Sequence, residues 1–247
     1  NRNFLVQRGL SPRELLQSSK LMAEYMYHLS SKENRSVWIA QREGRTKDGN
    51  DATHQGVLKM IAMASDEQNC MDFFKKIKIV PVSISYEYDP TDALKMPQLL
   101  ALSKDEVYIK EKNEDFITLL SGIIGQKKRI HIHVGDVLEN EYEKIKVEND
   151  NNNKQIQALA QVIDDSILQS YKLWPTNFIA YDILNNTSRF AHLYDEKERQ
   201  LFERRLEMRI DAENETMKAG FLAMYANPVV NKLKYTNDIA KNKNSID

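Results

Sequence analysis

Ser36-Val37-Trp38-Ile39-Ala40 is the stretch that decides the predicted fold class. The run is apolar and rich in β-branched and aromatic side chains, which is typical of a strand buried on both faces. It leads directly into a polar stretch, residues 41–50, that contains two glycines and five charged side chains. The sequence therefore predicts a buried strand that ends in a charged loop.

Three more apolar runs of this kind stand at residues 3–8, 77–84 and 129–134. The last two are short and rich in β-branched residues, and the first places Phe4 and Val6 on one face, which indicates strands. Between the runs, apolar residues recur at helical spacing, and helices are predicted over about residues 12–30 and 53–64. Strands that alternate with helices predict an α/β fold, here a mixed sheet flanked by helices.

The first predicted helix has a distinct start signal. Ser11 and Glu14 have the spacing of a capping box, in which each side chain bonds to the backbone of the other residue. Pro12 stands at the first helical position, where its missing N–H costs no hydrogen bond. These residues predict the N-terminus of this helix.

The character of the sequence changes at the asparagine-rich stretch 148–153, which has the composition of a linker. The helices predicted beyond it lie at about residues 154–171, 196–210 and 212–225. The sequence therefore predicts an α/β domain over residues 1–149, a helical extension over residues 150–230 and a polar tail over residues 231–247.

The composition excludes several classes of protein. Thirty-five Lys and Arg side chains against 36 Asp and Glu leave a formal net charge of −1, so no global field draws the chain to nucleic acid. The single cysteine, Cys70, excludes an internal disulfide and is typical of a cytosolic protein. No sequence window reaches the roughly 18 apolar residues that a membrane span needs.

The charged loop after the first predicted strand has the chemistry of a phosphate site. Arginine binds phosphate with two charge-assisted hydrogen bonds, and the loop contains Arg42 and Arg45. Gly44 and Gly49 permit tight turns and a close backbone approach. In open α/β sheets, ligands gather at the carboxyl ends of strands. The same composition also fits a solvated, charged turn, so both interpretations stay open at this point.

Residues 37–49 (VWIAQREGRTKDG) resemble the Glu-Gly-Arg block of the glycerol-3-phosphate and lysophosphatidate acyltransferase family. Residues 4–8 resemble its strand block that ends in an arginine, and residues 79–84 resemble its downstream apolar block with a central proline. The three blocks follow one another in family order, and the resemblance covers about residues 1–137. The variant is most similar to a subgroup in which Glu-Gly-Arg replaces the commoner Glu-Gly-Thr-Arg, which places the arginine one position earlier.

The resemblance implies roles for individual residues. It makes residues 1–149 the C-terminal part of an acyltransferase α/β domain. The residues implied to line the site for the acceptor's glycerol-phosphate group are Arg8, Glu43, Gly44 and Arg45. Pro81 would shape the pocket wall rather than react. His54 stands a few residues after the loop and is a candidate for a minor contact with bound phosphate or thioester.

The catalytic base of this family belongs to a His-x-x-x-x-Asp block, in which the carboxylate orients the imidazole that deprotonates the acceptor hydroxyl. By family order this block precedes Arg8, so we expect it upstream of this chain and assign no catalytic residue here. His131 and Asp136 have the same spacing but follow all three blocks. Five positions along a strand also separate them by about 16 Å and place them on opposite faces, which excludes a dyad.

The predicted function is that of an O-acyltransferase of phospholipid biosynthesis. It would move a fatty acyl group from acyl-CoA or acyl-carrier protein to a hydroxyl of a glycerol-phosphate or lysophospholipid acceptor, without a metal or redox cofactor. Its further partner would be a membrane surface, reached peripherally on the cytoplasmic face; no nucleic acid is expected. The alternatives are a non-catalytic lipid-phosphate binding module and a helical interaction protein.

Overall fold

The computed structural model describes residues 9–42 and 46–244, with side chains described as far as residue 237. Within these residues the chain forms ten α-helices, one short 3-10 helix and two strands. The α-helices are α1 (Pro12–Ser31), α2 (Gln55–Ala62), α3 (Cys70–Ile77), α4 (Asp92–Ser103), α5 (Glu114–Ile124), α6 (Glu141–Glu148), α7 (Asn152–Ser170), α8 (Pro175–Leu184), α9 (Glu196–Arg209) and α10 (Glu215–Asn244). The strands are β1 (Val82–Tyr86) and β2 (Ile130–Val134), and the 3-10 helix spans Ala191–Leu193.

The prediction of an α/β fold with a mixed sheet flanked by helices is wrong. Within the described residues only β1 and β2 pair, and they are antiparallel. The Glu87 N–H donates to Arg129 O at 2.9 Å, and the Gly135 N–H donates to Pro81 O at 2.9 Å. A mixed sheet needs further strands at the edges of such a pair. The described chain is instead mostly helical.

The predicted strand over residues 36–40 does not form. Trp38 is 68% exposed and Ile39 is 41% exposed, whereas a strand buried on both faces needs neighbouring strands and a layer over each face. The part of the chain that the structure describes supplies no paired strand beside this run. The other predicted strand of this region, residues 3–8, lies outside the described residues.

The predicted strand over residues 77–84 is divided between two elements. Ile77 ends α3, and Lys78 takes a left-handed conformation (φ 54°) and donates its N–H to Phe74 O. This cap stops the helix, and β1 begins only afterwards. The strand predicted over residues 129–134 is confirmed as β2.

The predicted helices are confirmed in type. At the start of α1, the Glu14 N–H donates to Ser11 Oγ at 3.5 Å, and the Ser11 N–H donates to the Glu14 carboxylate at 2.9 Å, as a capping box requires. The predictions that correspond to α2, α7, α9 and α10 also hold. α10 continues beyond its predicted end, as far as Asn244.

The chain divides into two compact units, and each is described by itself. Unit 1 takes its described residues from Asn1–Arg45, Ala52–Pro81 and Val134–Ile167. Its core joins side chains of α1, α2, α3, α6 and α7, with Phe73 and Phe74 fully buried at its centre. Their rings meet edge to face with centroids 5.7 Å apart, a preferred aromatic geometry.

Unit 2 takes its residues from Thr46–Asp51, Val82–His133 and Leu168–Asp247. Helix α10 packs along α8 and α4, and α9 packs on α8. The core contains Phe202 and Tyr225, whose rings meet edge to face at 5.1 Å. The predicted division of the chain at residues 149 and 230 stays a prediction.

Candidate functional site

The residues predicted to line the acceptor site are only partly described. Those that lie outside the described residues are Arg8, Glu43, Gly44 and Arg45. Their roles therefore stay predictions. His54, Pro81 and the chain on both sides of the loop are described.

Pro81 is buried directly before β1, and its carbonyl oxygen accepts the Gly135 N–H at 2.9 Å. The two backbones lie so close that a Cβ on Gly135 would be 3.0 Å from Pro81 O. Proline is tolerated at this position because it precedes the strand and owes no N–H to the ladder. Pro81 can shape a wall, but it supplies no reacting group.

The chain next to the predicted loop is fixed within unit 1. His54 is exposed at the N-cap of α2, and its backbone N–H donates to Gln41 O at 2.8 Å. Thr53 donates its backbone N–H (2.8 Å) and its hydroxyl (2.5 Å) to Asp164 Oδ1 of α7. These bonds hold Gln41, where the loop begins. The contact predicted for the His54 imidazole stays a prediction.

The turn Thr46–Asp51 belongs to unit 2 and is organised around Asp48. One carboxylate oxygen of Asp48 accepts the Thr46 hydroxyl at 3.2 Å and the Asn50 N–H at 3.0 Å. Such a bond from an aspartate to the backbone two residues later is typical of an Asx-turn. Asn227 of α10 donates its side-chain amide to the Asp48 carbonyl at 2.7 Å. The turn is therefore seated on α10.

The backbone conformation and the contacts of residue 49 explain why this turn needs a glycine. Its φ is +73°, and a Cβ at this position would lie 2.1 Å from the carbonyl oxygen of Met224 in α10. Both the conformation and the contact exclude a side chain unless the backbone shifts. The sequence predicted a close backbone approach at Gly49. The approach is to a helix of the protein itself, and it fixes the chain shortly after Arg45.

Sequence reasoning missed a buried charge network that follows β1 in unit 2. The Asp92 carboxylate is fully buried and accepts hydrogen bonds from Arg205 Nε (2.9 Å), Arg209 Nε (2.7 Å) and the Tyr225 hydroxyl (2.9 Å). Burial, together with the Asp92 charge, raises the pKa of Tyr225 well above its ordinary value. The signal in the sequence was a cluster of carboxylates directly after an apolar strand.

Two further carboxylates of this cluster are paired. Burial alone would raise the pKa of Asp89, but the ion pair with Lys95 outweighs it and holds that pKa below its ordinary value. Glu87 is fully buried and accepts hydrogen bonds from Lys128 Nζ (2.6 Å) and from the Arg129 guanidinium. Burial would raise the pKa of Glu87 as well, and these two cations reverse the shift. Each carboxylate of the cluster therefore has at least one cationic partner.

We expect Glu87→Gln to reduce the loss of stability in acid. A carboxyl whose folded pKa lies below its ordinary value of 4.5 stabilises the fold above that pH, and the contribution disappears as the pH falls through the folded pKa. Urea unfolding at about pH 7 and about pH 3.5 measures this change. The free energy of unfolding should fall less between these conditions in the variant than in the native chain. An equal fall in both proteins would contradict the role of Glu87.

Helix α5 presents its apolar side to solvent. Residues at positions i, i+1, i+3, i+4, i+7 and i+8 form one stripe, and they are 44–73% exposed in the described structure. The residues of this stripe are Phe116, Ile117, Leu119, Leu120, Ile123 and Ile124. The opposite side carries Thr118, Ser121 and Gly122, which are half-buried. A surface helix normally buries its apolar side and exposes its polar side.

The surroundings of α5 favour a partner for this stripe. Lys127 Nζ donates to Ile123 O and Gly125 O at 3.0 Å each, which satisfies carbonyls at the C-terminal end of the helix. Lys128 and Arg129 follow directly. A contiguous apolar patch of this kind marks an interaction surface in soluble proteins. Within the described residues, no helix has the length and apolar character to cross a bilayer.

No group of three or more His, Cys, Asp or Glu side chains in the described part of the chain is arranged to hold a metal ion. No family model matches the chain, and no curated protein or solved structure is significantly similar to it.

Proposed function

We propose that the chain belongs to an O-acyltransferase that moves a fatty acyl group from acyl-CoA or acyl-carrier protein to a hydroxyl of a glycerol-phosphate or lysophospholipid acceptor. The residues proposed to bind the acceptor phosphate are Arg8, Glu43, Gly44 and Arg45. Each arginine can form two parallel charge-assisted bonds with phosphate oxygens, and the glycine lets the backbone approach the ligand.

The observation that carries the proposal is the anchoring of the chain beside the Glu-Gly-Arg run. The Asp48 turn is held by Asn227, and Gly49 is held against Met224 O. Fixed anchors support a binding role because a preorganised site loses less conformational entropy when the ligand binds.

In the proposed reaction, a base takes the proton of the acceptor hydroxyl, the oxygen attacks the thioester carbonyl, and the thiolate leaves. No residue of the described chain is assigned as this base. His131 lies on β2, and Asp136 follows the strand. They take no part in the proposed reaction.

A membrane surface is the proposed partner because the acceptor is an amphiphile. The outward apolar stripe of α5 supports this proposal, since an amphipathic helix can lie in the bilayer interface with its apolar side in the acyl region. The peripheral position on the cytoplasmic face rests on the same proposal.

We expect Ile123→Ser combined with Ile124→Ser to lower the affinity for vesicles of phosphatidylcholine and phosphatidylglycerol about tenfold or more, because buried apolar area drives interfacial binding. Vesicle co-sedimentation measures this affinity. The matched control replaces two exposed apolar residues elsewhere, Val147 and Met208, by serine. An equal loss of vesicle affinity in the control would contradict the membrane role. A native dimer in analytical ultracentrifugation that only the α5 substitutions convert to a monomer would also contradict it.

We expect Arg45→Ala to weaken binding of glycerol 3-phosphate by about 1.5–3 kcal/mol, the range for hydrogen bonds to charged groups, or roughly 10- to 150-fold in affinity. Titration calorimetry measures the change. Arg13→Ala removes an exposed arginine from α1 and serves as the control. Unchanged affinity in the Arg45 variant would remove this residue from the site.

A lipid-phosphate binding module without transfer activity is the second candidate. Transfer of a labelled acyl group to a lysophospholipid distinguishes the candidates. Headgroup binding without acyl transfer would favour the module.

A further inference from the structure

A groove lies between α4 and α10 and has a volume of about 730 Å³. The described residues that line it all belong to unit 2. Small-molecule sites occupy roughly 300–1,000 Å³, so the groove is large enough for a ligand. Its central lining comes from Met96, Leu99 and Leu100 of α4 and from Met217, Gly220 and Ala223 of α10. None of these six side chains carries a charge or a hydrogen-bond donor, so the centre of the groove suits an aliphatic chain.

The groove is long because it follows α10. Its lining extends from Glu215 to Asn227, a distance on the order of 18 Å at the rise of an α-helix. The middle is open at Gly220, where a Cβ would meet the Leu99 side chain only at 3.9 Å. The length and the apolar centre fit a single unbranched chain.

An acid stands at each end of the groove. Asp48 lies at the end that Asn227 forms, because its carbonyl accepts the Asn227 side-chain amide at 2.7 Å, and Glu215 begins α10 at the other end. Among the described residues that line the groove there is no Lys, Arg or His. The Glu215 side chain is 85% exposed and has Lys218 Nζ at 3.9 Å, so its charge is screened. Asp48 is therefore the charge that a ligand meets in the groove.

The Asp48 end offers hydrogen-bond acceptors. Asp48 Oδ1 accepts the Thr46 hydroxyl and the Asn50 N–H, whereas Oδ2 accepts no hydrogen bond from another described residue. Asn227 donates its amide to the Asp48 carbonyl, and this bond fixes Asn227 Oδ1 as a further acceptor. An ammonium group has three N–H donors and no acceptor, so it suits these oxygens. A phosphate or carboxylate would instead meet a like charge.

We propose that this groove binds a single-chain aliphatic amine, with the alkyl chain between α4 and α10 and the ammonium group against Asp48 and Asn227. The chain buries apolar surface in the centre of the groove, and the ammonium forms charge-assisted hydrogen bonds at its end. The inference does not rest on the proposed function, because residues 43–45 take no part in this site.

Three probes with the same chain length and different head groups test the proposal on the native chain by titration calorimetry. The probes are decylamine, 1-decanol and decanoate, each at a monomeric concentration and about pH 7, where the amine is protonated as lysine is. We expect decylamine to bind about tenfold or more tightly than decanoate, with 1-decanol between them. Equal affinities for the three probes, or tightest binding of decanoate, would overturn the proposal.

Asp48→Asn removes the charge and keeps the side-chain oxygen that the Asx-turn needs. The affinity for decylamine should fall about fivefold or more, with the affinity for 1-decanol unchanged. Glu207→Gln removes an exposed acid of α9 that does not line the groove, and this control should leave decylamine binding unchanged. A decylamine affinity that Asp48→Asn does not lower would overturn the role of Asp48 and with it the proposal.

A second pair of variants locates the bound chain. Ala223→Leu fills the groove and should lower the affinity for decylamine about tenfold or more, because the chain can no longer be buried. Ile123→Ser combined with Ile124→Ser changes the exposed stripe of α5 and should leave this affinity unchanged. The reverse result would place the chain on α5 and overturn the groove site. The probe series and Asp48→Asn test the proposal even where Ala223→Leu does not fold.

Discussion

Asp92→Ala is expected to lower the free energy of unfolding by about 3–5 kcal/mol, the range for removing one partner from a buried ion pair. Asp92 is fully buried, and the Arg205 side chain is only 11% exposed. The substitution leaves the Arg205 charge buried without its carboxylate and takes the hydrogen-bond acceptor from Tyr225. Urea unfolding at neutral pH measures the change.

The matched control for Asp92 is an exposed ion pair on the same helix as Arg205. Arg199 and Glu203 of α9 are more than two-fifths exposed and pair at 3.0 Å. Solvent screens such pairs, so Glu203→Ala should cost at most about 1 kcal/mol. Similar losses of unfolding free energy in Asp92→Ala and Glu203→Ala would show that the buried network does not hold α9 and α10 to the chain after β1.

Gly49→Ala is expected to destabilise the protein by about 2–5 kcal/mol. A non-glycine residue in the left-handed region costs roughly 1–2 kcal/mol, and forcing a methyl group into a filled space adds about 1–3 kcal/mol. The clash is with the backbone, because the new Cβ would lie 2.1 Å from Met224 O. Thermal or urea unfolding measures the loss. Binding of glycerol 3-phosphate should also weaken, since the turn could no longer sit on α10.

Substitution of Gly9 measures the cost of a positive φ without the cost of a steric clash. It has the same φ of +73°, but no atom lies within 4 Å of the position of its Cβ. Gly9→Ala should therefore cost no more than the conformational penalty of about 1–2 kcal/mol. If both glycine variants lost equal stability, the contact with α10 would have no measurable effect.

Local signals in the sequence were sufficient for five of the ten described α-helices, whereas α3, α4, α5, α6 and α8 were not predicted. Ser11 and Glu14 are three residues apart, and their reciprocal bonds depend on no other part of the chain. The same holds for apolar residues at helical spacing, which identified α7 and α9. The sequence does not show that Lys78 would stop α3 in the middle of an apolar run.

The prediction of the fold class was wrong because a strand depends on partners that are distant in sequence. The run over residues 36–40 has the composition of a buried strand, but composition cannot supply neighbouring strands. The described structure pairs only β1 with β2. An apolar run without such neighbours remains an exposed connection, as Trp38 illustrates.

Two features of the candidate surfaces were also beyond sequence reasoning. The bond between Arg205 and Asp92 joins residues 113 positions apart, and no local pattern identifies such a pair. The spacing in α5 reveals an apolar stripe, but it does not reveal that Gly122 and Ser121 face inward and the stripe faces outward. Both features follow from packing in three dimensions.

The central claim is that Arg8 and the Glu43–Arg45 run bind the acceptor phosphate. Backbone amide chemical shifts of the isotope-labelled protein, recorded during titration with glycerol 3-phosphate and with uncharged glycerol, test it most directly. We expect the largest shifts at Gly44 and Gly49, with glycerol 3-phosphate only. Shifts of equal size with glycerol, or shifts confined to the cations around Glu87, would contradict the claim.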